Sequence, residues 1–125
     1  NNNKRILLLI TQPFSEDGLI TEDEKIRIYK TLIDHYKNDY EIILKPHPRE
    51  KTNYNFLKDY VHLLDYYFPL EILNLLSITI DLGVTVDSTA IFNLANILKN
   101  ILILGQCELT SELGQKYPLA KTRYL

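Results

Sequence analysis

The chain has 125 residues, of which 46% are hydrophobic, so it can bury one core but hardly two, and we expect a single domain. Its formal net charge of -2 lacks the positive footprint that binding to a nucleic-acid backbone requires. A phosphate that it binds should therefore belong to a small molecule. The single cysteine, Cys107, excludes an internal disulfide, and no Cys/His cluster has the spacing of a zinc site, which fits a reducing cytoplasm.

The beginning of the chain indicates a piece of a longer protein. No apolar run reaches the roughly 18 to 20 residues that cross a bilayer, and residues 1–5 lack a signal-peptide core. The chain starts without methionine and enters a strand-like run almost at once. We therefore interpret residues 1–125 as one cytoplasmic domain excised from a longer protein. The missing part would hold half of an active site or a membrane anchor, and the full-length protein could be peripheral at the inner face of the membrane.

Predicted strands and helices alternate along the chain. Five apolar runs rich in Ile, Leu and Val lack clean polar alternation, as strands buried on both faces of a parallel sheet do; they cover residues 6–10, 42–44, 61–64, 78–86 and 101–104. Helices are predicted from residue 22 to about 38, over 53–59, over 70–76, from 88 to about 98, and around 111–116.

The first predicted helix has the clearest boundaries. Thr21 has the properties of an N-cap, and Glu24, three residues later, would complete a capping box. Apolar residues at spacings of three and four predict its buried stripe, which consists of Ile26, Tyr29, Ile33 and Tyr36.

This alternation predicts an α/β fold with a doubly wound, Rossmann-like parallel sheet. We expect the strand order 3-2-1-4-5, with the topological switch point between the first and fourth strands. Ligands of such sheets bind beyond the carboxyl ends of the strands at the switch point, so the loops that follow the first, second and fourth strands are the candidate site.

The loop after the second strand contains the most constrained histidine. His47 lies between Pro46 and Pro48, and each proline restricts its own φ and the conformation of the residue before it. Lys45 and Arg49 flank this segment and would gather negative charge, which suits a phosphate. The alternative is a structural loop whose histidine only hydrogen-bonds a carbonyl.

The loop after the first strand contains two adjacent acids, Glu16 and Asp17, followed by Gly18, which can adopt a positive φ. Two neighbouring carboxylates would oppose each other's ionisation, and this could prepare one of them as a general base. An ordinary solvated acidic turn explains the same string.

The loop after the fourth strand leads into a helix. Ser88 and Thr89 bring hydroxyls and backbone N–H groups to the predicted helix N-terminus, which is a natural anion site. Capping explains part of this pattern, and either Asp87 or Ser88 could be the cap. We expect Asp87 to cap the helix or to orient a neighbouring group rather than to catalyse, because a carboxylate beside a bound phosphate would be repelled.

Together, Glu16-Asp17-Gly18, His47-Pro48 and Ser88-Thr89 resemble, in order and in their positions after strands, three motifs of the C-terminal domain of bacterial GT-B sialyltransferases. The resemblance is closest to the lipooligosaccharide and capsule sialyltransferases of glycosyltransferase family 52, and it runs from about residue 6 to 105.

The resemblance implies a role for each motif. Asp17 would be the general base for the acceptor hydroxyl, and Glu16 and Gly18 would complete its motif at the substrate. His47, with Pro48, would contact the CMP phosphate and could act as an acid toward it. Ser88 and Thr89 would bind the same phosphate.

The family further implies inverting transfer of sialic acid from CMP-sialic acid to a glycan acceptor, with no cofactor and no catalytic metal. The chain would be the donor-nucleotide domain, and its partner would be the N-terminal domain of the same protein; a homo-oligomer is left open. Two other functions remain. Glycerophosphotransferases that use CDP-glycerol also contain a Lys-Pro-His-Pro string and a serine pair, although the acidic loop favours the sialyl interpretation. The second alternative is a non-catalytic nucleotide-binding module.

Overall fold

A computed structural model describes residues 4–75, 78–85, 98–103 and 122–124. Its strands are β1 Arg5–Ile10, β2 Tyr40–Lys45, β3 His62–Leu63, β4 Ile80–Thr85, β5 Leu98–Ile103 and β6 Thr122–Tyr124. Its helices are α1 Glu22–Tyr36 and α2 Glu71–Leu75, with a short 3-10 helix at Tyr54–Leu57.

The strands form one sheet in the order β3-β2-β1-β4-β5-β6. Strands β1 to β5 are parallel where they pair, and β6 runs antiparallel to β5. The predicted order 3-2-1-4 is therefore confirmed, and β1 and β4 are neighbours at the switch point. The prediction of a five-stranded sheet is wrong, because the short strand β6 adds an antiparallel edge.

The helix α1 begins as its sequence predicts. The Thr21 side chain accepts a hydrogen bond from the backbone N–H of Glu24 at 3.1 Å, and the Glu24 carboxylate accepts one from the backbone N–H of Thr21 at 2.9 Å. This reciprocal capping box satisfies two N–H groups that the first turn would otherwise leave unpaired. The acidic first turn also lies at the positive end of the helix dipole.

The buried face of α1 differs from the predicted stripe. Tyr29 and Ile33 are buried as predicted, but Ile26 and Tyr36 are only partly buried. The fully inward positions are Lys25, Ile28, Tyr29, Leu32 and Ile33. The helix is rotated by about one residue from the prediction, and this rotation turns a lysine, rather than an isoleucine, toward the interior at its first turn.

The core lies on both faces of the sheet. On one face, alternate residues of the strands, such as Leu7, Leu9 and Leu44, pack with α1 and with Tyr54 of the 3-10 helix. On the other face, Leu8, Ile10 and Ile80 pack with Leu73 of α2. Because the central strands are covered on both sides, they carry continuous apolar runs instead of alternating ones.

Several predicted elements are longer, shorter or outside the described residues. The predicted helices over 53–59 and 70–76 contract to the 3-10 helix and to α2. Leu98, predicted to end the helix that starts at residue 88, begins β5. The rest of that helix, with Asp87, Ser88 and Thr89, and the predicted helix at 111–116 lie outside the described residues. Among the helices described, none combines the length and apolarity needed to cross a bilayer.

Candidate active site

Two loops meet at the carboxyl edge of the sheet: the acidic loop (residues 11–21), which follows β1, and the histidine loop (residues 46–53), which follows β2. The strands are parallel and in register, with Ile10 opposite Lys45, so both loops leave the sheet at the same level. The backbone N–H of Thr11 donates to the Lys45 carbonyl at 3.1 Å and continues the ladder by one bond. The convergence of these two loops is confirmed.

A tight turn in the acidic loop separates its two carboxylates. The backbone N–H of Asp17 donates to the Pro13 carbonyl at 2.9 Å, and that of Gly18 donates to Ser15 at 3.1 Å. Gly18 has a φ of 76°, in the left-handed region that glycine adopts without strain. The turn leaves Asp17 exposed, while the Glu16 side chain is only 13% exposed.

The Asp17 carboxylate forms a two-pronged ion pair with Arg49 across the gap between the loops. Arg49 Nη1 donates to Oδ1 at 2.8 Å, and Nη2 donates to Oδ2 at 3.2 Å. These hydrogen bonds hold the pKa of Asp17 below its ordinary value. Both side chains are exposed to solvent, so a ligand can reach either partner.

The Glu16 carboxylate turns inward and is held by the interior. Lys25 Nζ lies 2.8 Å from its Oε1, and the backbone N–H of Lys51 donates to its Oε2 at 2.7 Å. Burial acts to raise the pKa of Glu16, but these hydrogen bonds outweigh burial and lower the pKa to about 2. The charge of Glu16 does act to raise the pKa of Asp17, as expected, but the cation beside each carboxylate outweighs this effect, so neither pKa rises.

One ring nitrogen of His47 is hydrogen-bonded to the backbone of its own loop. The backbone N–H of Arg49 donates to His47 Nδ1 at 3.0 Å, so Nδ1 accepts and the proton of the neutral ring resides on Nε2. Burial, with the positive charge of Arg49, lowers the pKa of His47. A neutral imidazole at pH 7 presents Nε2–H as its donor.

The remaining predicted residues of the histidine loop take different positions. The Lys45 ammonium is directed inward, where the carbonyls of Pro46 and Tyr66 accept its protons, the latter at 2.6 Å. Burial lowers the pKa of Lys45. Pro48 is exposed at the tip of the loop beside Arg49. Lys45 thus stabilises the loop through these two carbonyls. Its contact with a phosphate stays a prediction.

Sequence reasoning missed the residue at the centre of the site, Glu50. Its side chain is fully buried, and its Oε1 accepts hydrogen bonds from the backbone N–H of His47 at 2.8 Å and from Thr11 Oγ1 at 2.5 Å. Its Oε2 accepts from Lys25 Nζ at 3.0 Å and from the Tyr54 hydroxyl at 2.5 Å. Burial raises the pKa of Tyr54, which keeps this hydroxyl a donor.

The sequence holds a signal for both buried charges. Lys25 precedes Ile28, Tyr29 and Leu32 by three, four and seven residues, so it belongs to the inward face of α1. A lysine on that face needs a buried anion, because an unpaired buried charge is costly. Glu50, an acid close to the rigid His47 segment, is a candidate for this buried anion.

An open cleft of ≈ 430 Å³ borders this site. Its lining includes Ser15, Glu16, Glu22, Lys51 and Thr52. A second hollow, of ≈ 360 Å³, lies near the opposite ends of the strands beside Lys37, Glu41 and His62. Of the predicted site residues that the structure describes, none lines that second hollow.

The third predicted loop begins where β4 ends. Thr85, the last residue of β4, is buried and lies opposite Ile10 of β1, so β4 ends beside the strand end from which the acidic loop starts. The Thr85 hydroxyl is 3.5 Å from Gln12 Oε1. Ser88 and Thr89 lie outside the described residues, and their contacts with a phosphate stay a prediction.

Comparison with known proteins agrees with the resemblance seen in the motifs. The family model described as glycosyltransferase family 52 matches residues 1–104. An uncharacterized protein of Haemophilus influenzae is 43% identical over 86 residues. The aligned part is 69% of this chain but only 28% of that relative's length. No solved structure matches the chain significantly.

Proposed function

Because the chain belongs to glycosyltransferase family 52, we propose that it is the donor-binding, C-terminal domain of a two-domain sialyltransferase of GT-B architecture. The full-length protein would transfer sialic acid from CMP-sialic acid to a sugar of lipooligosaccharide or capsular polysaccharide, with inversion and without a metal. The observation that carries the proposal is the contact between Asp17 and Arg49, which joins the acidic and histidine loops at one edge of the sheet.

The geometry supports a phosphate-binding role for the residues of the histidine loop in this reaction. As the bond between sialic acid and CMP breaks, negative charge develops on the departing phosphate, and donors directed at it lower the barrier. His47 presents Nε2–H, and Arg49 is an exposed guanidinium able to bind a phosphate through two hydrogen bonds. Ser88 and Thr89 would add hydroxyls from the third loop.

Asp17 would take the proton of the acceptor hydroxyl, but Arg49 first has to release it. While the pair is closed, the lowered pKa of Asp17 makes it a weak base. A donor phosphate that binds Arg49 would draw the guanidinium away, and the pKa of Asp17 would rise toward its ordinary value. Asp17 would thus become an effective base only after the donor has bound.

Calorimetry with CMP, UDP and CDP-glycerol tests the donor class. We expect the chain to prefer CMP, with a Kd near millimolar, roughly -4 kcal/mol, because half of the cleft belongs to the other domain. Equal or tighter binding of UDP would overturn the sialyl interpretation. Preferred binding of CDP-glycerol, with glycerophosphate transfer by the full-length protein, would favour the glycerophosphotransferase.

Transfer by the full-length protein tests the activity. We expect sialic acid to move from CMP-sialic acid to a lipooligosaccharide or capsular acceptor, and the activity to persist in the presence of a chelator. Binding of CMP without transfer to any acceptor of this class would favour a non-catalytic nucleotide-binding module. Fractionation of cells that express the full-length protein would test the proposed cytoplasmic location with peripheral attachment at the inner face of the membrane.

A further inference from the structure

A single buried lysine connects the two loops of the site from beneath. Lys25 Nζ lies 2.8 Å from Glu16 Oε1 in the acidic loop and 3.0 Å from Glu50 Oε2 in the histidine loop. The Lys25 side chain is 0% exposed, and so is that of Glu50. The three groups form a buried bridge, Glu16–Lys25–Glu50, that spans the gap between the loops.

Each end of this bridge constrains a residue of the proposed active site. Glu16 directly precedes Asp17 in the tight turn, so its position constrains where the Asp17 carboxylate lies. Glu50 accepts the backbone N–H of His47, which constrains the backbone that carries the imidazole. A displacement of Lys25 would therefore move both residues relative to each other.

Stability alone is a weak reason for such an arrangement. Removing charged groups from water costs several kcal/mol each, and well-packed apolar side chains of similar volume are often as stable or more so. A buried ion pair with saturated hydrogen bonds does, however, fix geometry tightly. Glu50 accepts four hydrogen bonds, from His47, Thr11, Lys25 and Tyr54, which leaves the carboxylate one well-defined position.

We propose that Lys25 and Glu50 are positioning residues that set the separation between Asp17 and His47. The inference rests on the proposed function of these two residues. Neither Lys25 nor Glu50 would touch the substrate; both would act through the loops that they hold. A transfer that needs a base on one loop and a phosphate donor on the other depends on this separation, since a displacement of about 1 Å can cost about 100-fold in rate.

Two substitutions break the bridge with different risks to folding. Lys25→Met keeps the length of the side chain and removes the charge, but it leaves two buried carboxylates without their cation. Glu50→Gln has the same shape, keeps an oxygen for the N–H of His47, and leaves Lys25 paired with Glu16. Leu32→Ala is the matched control, because Leu32 is buried on the same helix and contributes to the core rather than to the bridge.

The first readout is kcat of the full-length protein, corrected for the folded fraction by circular dichroism. We expect Glu50→Gln and Lys25→Met to lower kcat of the folded enzyme about 10- to 100-fold, while the control loses stability and keeps kcat. Unchanged kcat in folded Glu50→Gln would overturn the proposal, whatever the fate of Lys25→Met.

The second readout needs no activity. The imidazole signal of His47, assigned by its loss in His47→Gln, is followed by NMR as a function of pH. The charges that act on this ring belong to Asp17, Lys45, Arg49 and Glu50. Loss of the Glu50 charge would shift this signal by itself, whereas the charge of Lys25 is not among these, so Lys25→Met separates position from charge. We expect Lys25→Met to shift or broaden the signal, and the control to leave it unchanged.

The two readouts distinguish failure of the inference from failure of the proposed function. If the wild-type protein transfers no sialic acid, the sialyltransferase proposal fails, and the NMR signal alone decides whether the bridge positions His47. If the wild type is active, a His47 signal that does not respond to Lys25→Met or a kcat that does not respond to Glu50→Gln overturns the positioning role.

Discussion

Two ionic contacts join the same two loops, and they differ in almost every physical respect. In the buried bridge, Glu16–Lys25–Glu50, the side chains of Lys25 and Glu50 are 0% exposed and that of Glu16 is 13% exposed, whereas Asp17 and Arg49 meet in solvent with side-chain exposures of 38% and 60%. The exposed pair can exchange its partner for a ligand at little cost, because solvent screens both charges. The buried bridge cannot, because each of its groups would be left unpaired in the interior. One contact is suited to hold the loops and the other to respond to what binds.

The largest expected effect concerns the exposed pair and catalysis. Asp17→Asn keeps the shape of the side chain but removes its basicity, so the full-length variant should bind CMP-sialic acid about normally while kcat falls roughly 10² to 10⁴-fold. The measurement is a pair of pH–rate profiles for the variant and the wild type.

Glu16→Gln is the control for this assignment. It should reduce kcat less, since the Glu16 carboxylate is held by Lys25 and by the backbone N–H of Lys51 and would act only through the position of Asp17. If Glu16→Gln loses activity while Asp17→Asn retains it, the assignment within the pair is wrong; if both variants stay active, the acidic turn is only a turn.

The second effect concerns the buried bridge and stability. Glu50→Ala removes the carboxylate that pairs with Lys25 and leaves the N–H of His47 and the hydroxyls of Thr11 and Tyr54 without their acceptor. Breaking a buried ion pair of this kind costs about 3–5 kcal/mol. Urea denaturation of the chain measures the loss. A midpoint close to that of the wild type would mean that the interior is far more hydrated than the structure indicates.

The third effect is the pH dependence of stability that the bridge creates. The pKa of Glu16 is about 2 in the folded chain, below its ordinary value of 4.5. Its contribution to stability is therefore complete above about pH 4.5 and is lost as the pH falls through about 2. Urea midpoints between pH 6 and pH 2 should drop for the wild type, and the drop should be smaller in Glu16→Gln. An identical decline in both proteins would assign the acid sensitivity to other carboxylates.

The smallest effect is expected from the exposed pair on stability. Arg49→Ala removes the partner of Asp17 without disturbing the core, so the urea midpoint should be close to that of the wild type. Donor affinity should fall in the same variant, because Arg49 would bind the phosphate. A large loss of stability in Arg49→Ala would place this pair with the buried bridge and remove the distinction between the two contacts.

The sequence alone determined the fold class, the order of the first four strands and the start of α1. These features depend on local signals: uninterrupted apolar runs, which only a doubly covered sheet buries, and the Thr21–Glu24 box, which is complete within four residues. It also directed attention to His47 and Asp17, since prolines restrict the backbone around His47 and Gly18 permits the tight turn beside Asp17.

Only the tertiary structure decided which acid faces the solvent and which faces the core. The rotation of α1 brings Lys25 beneath both loops, and the register of β1 with β2 brings Glu50 beside Thr11. These contacts join residues that are 25 and 39 positions apart, so no local pattern reports them. The pKa values follow for the same reason: two adjacent carboxylates oppose each other in an isolated turn, but here each carboxylate has a cation supplied by a different element of the fold.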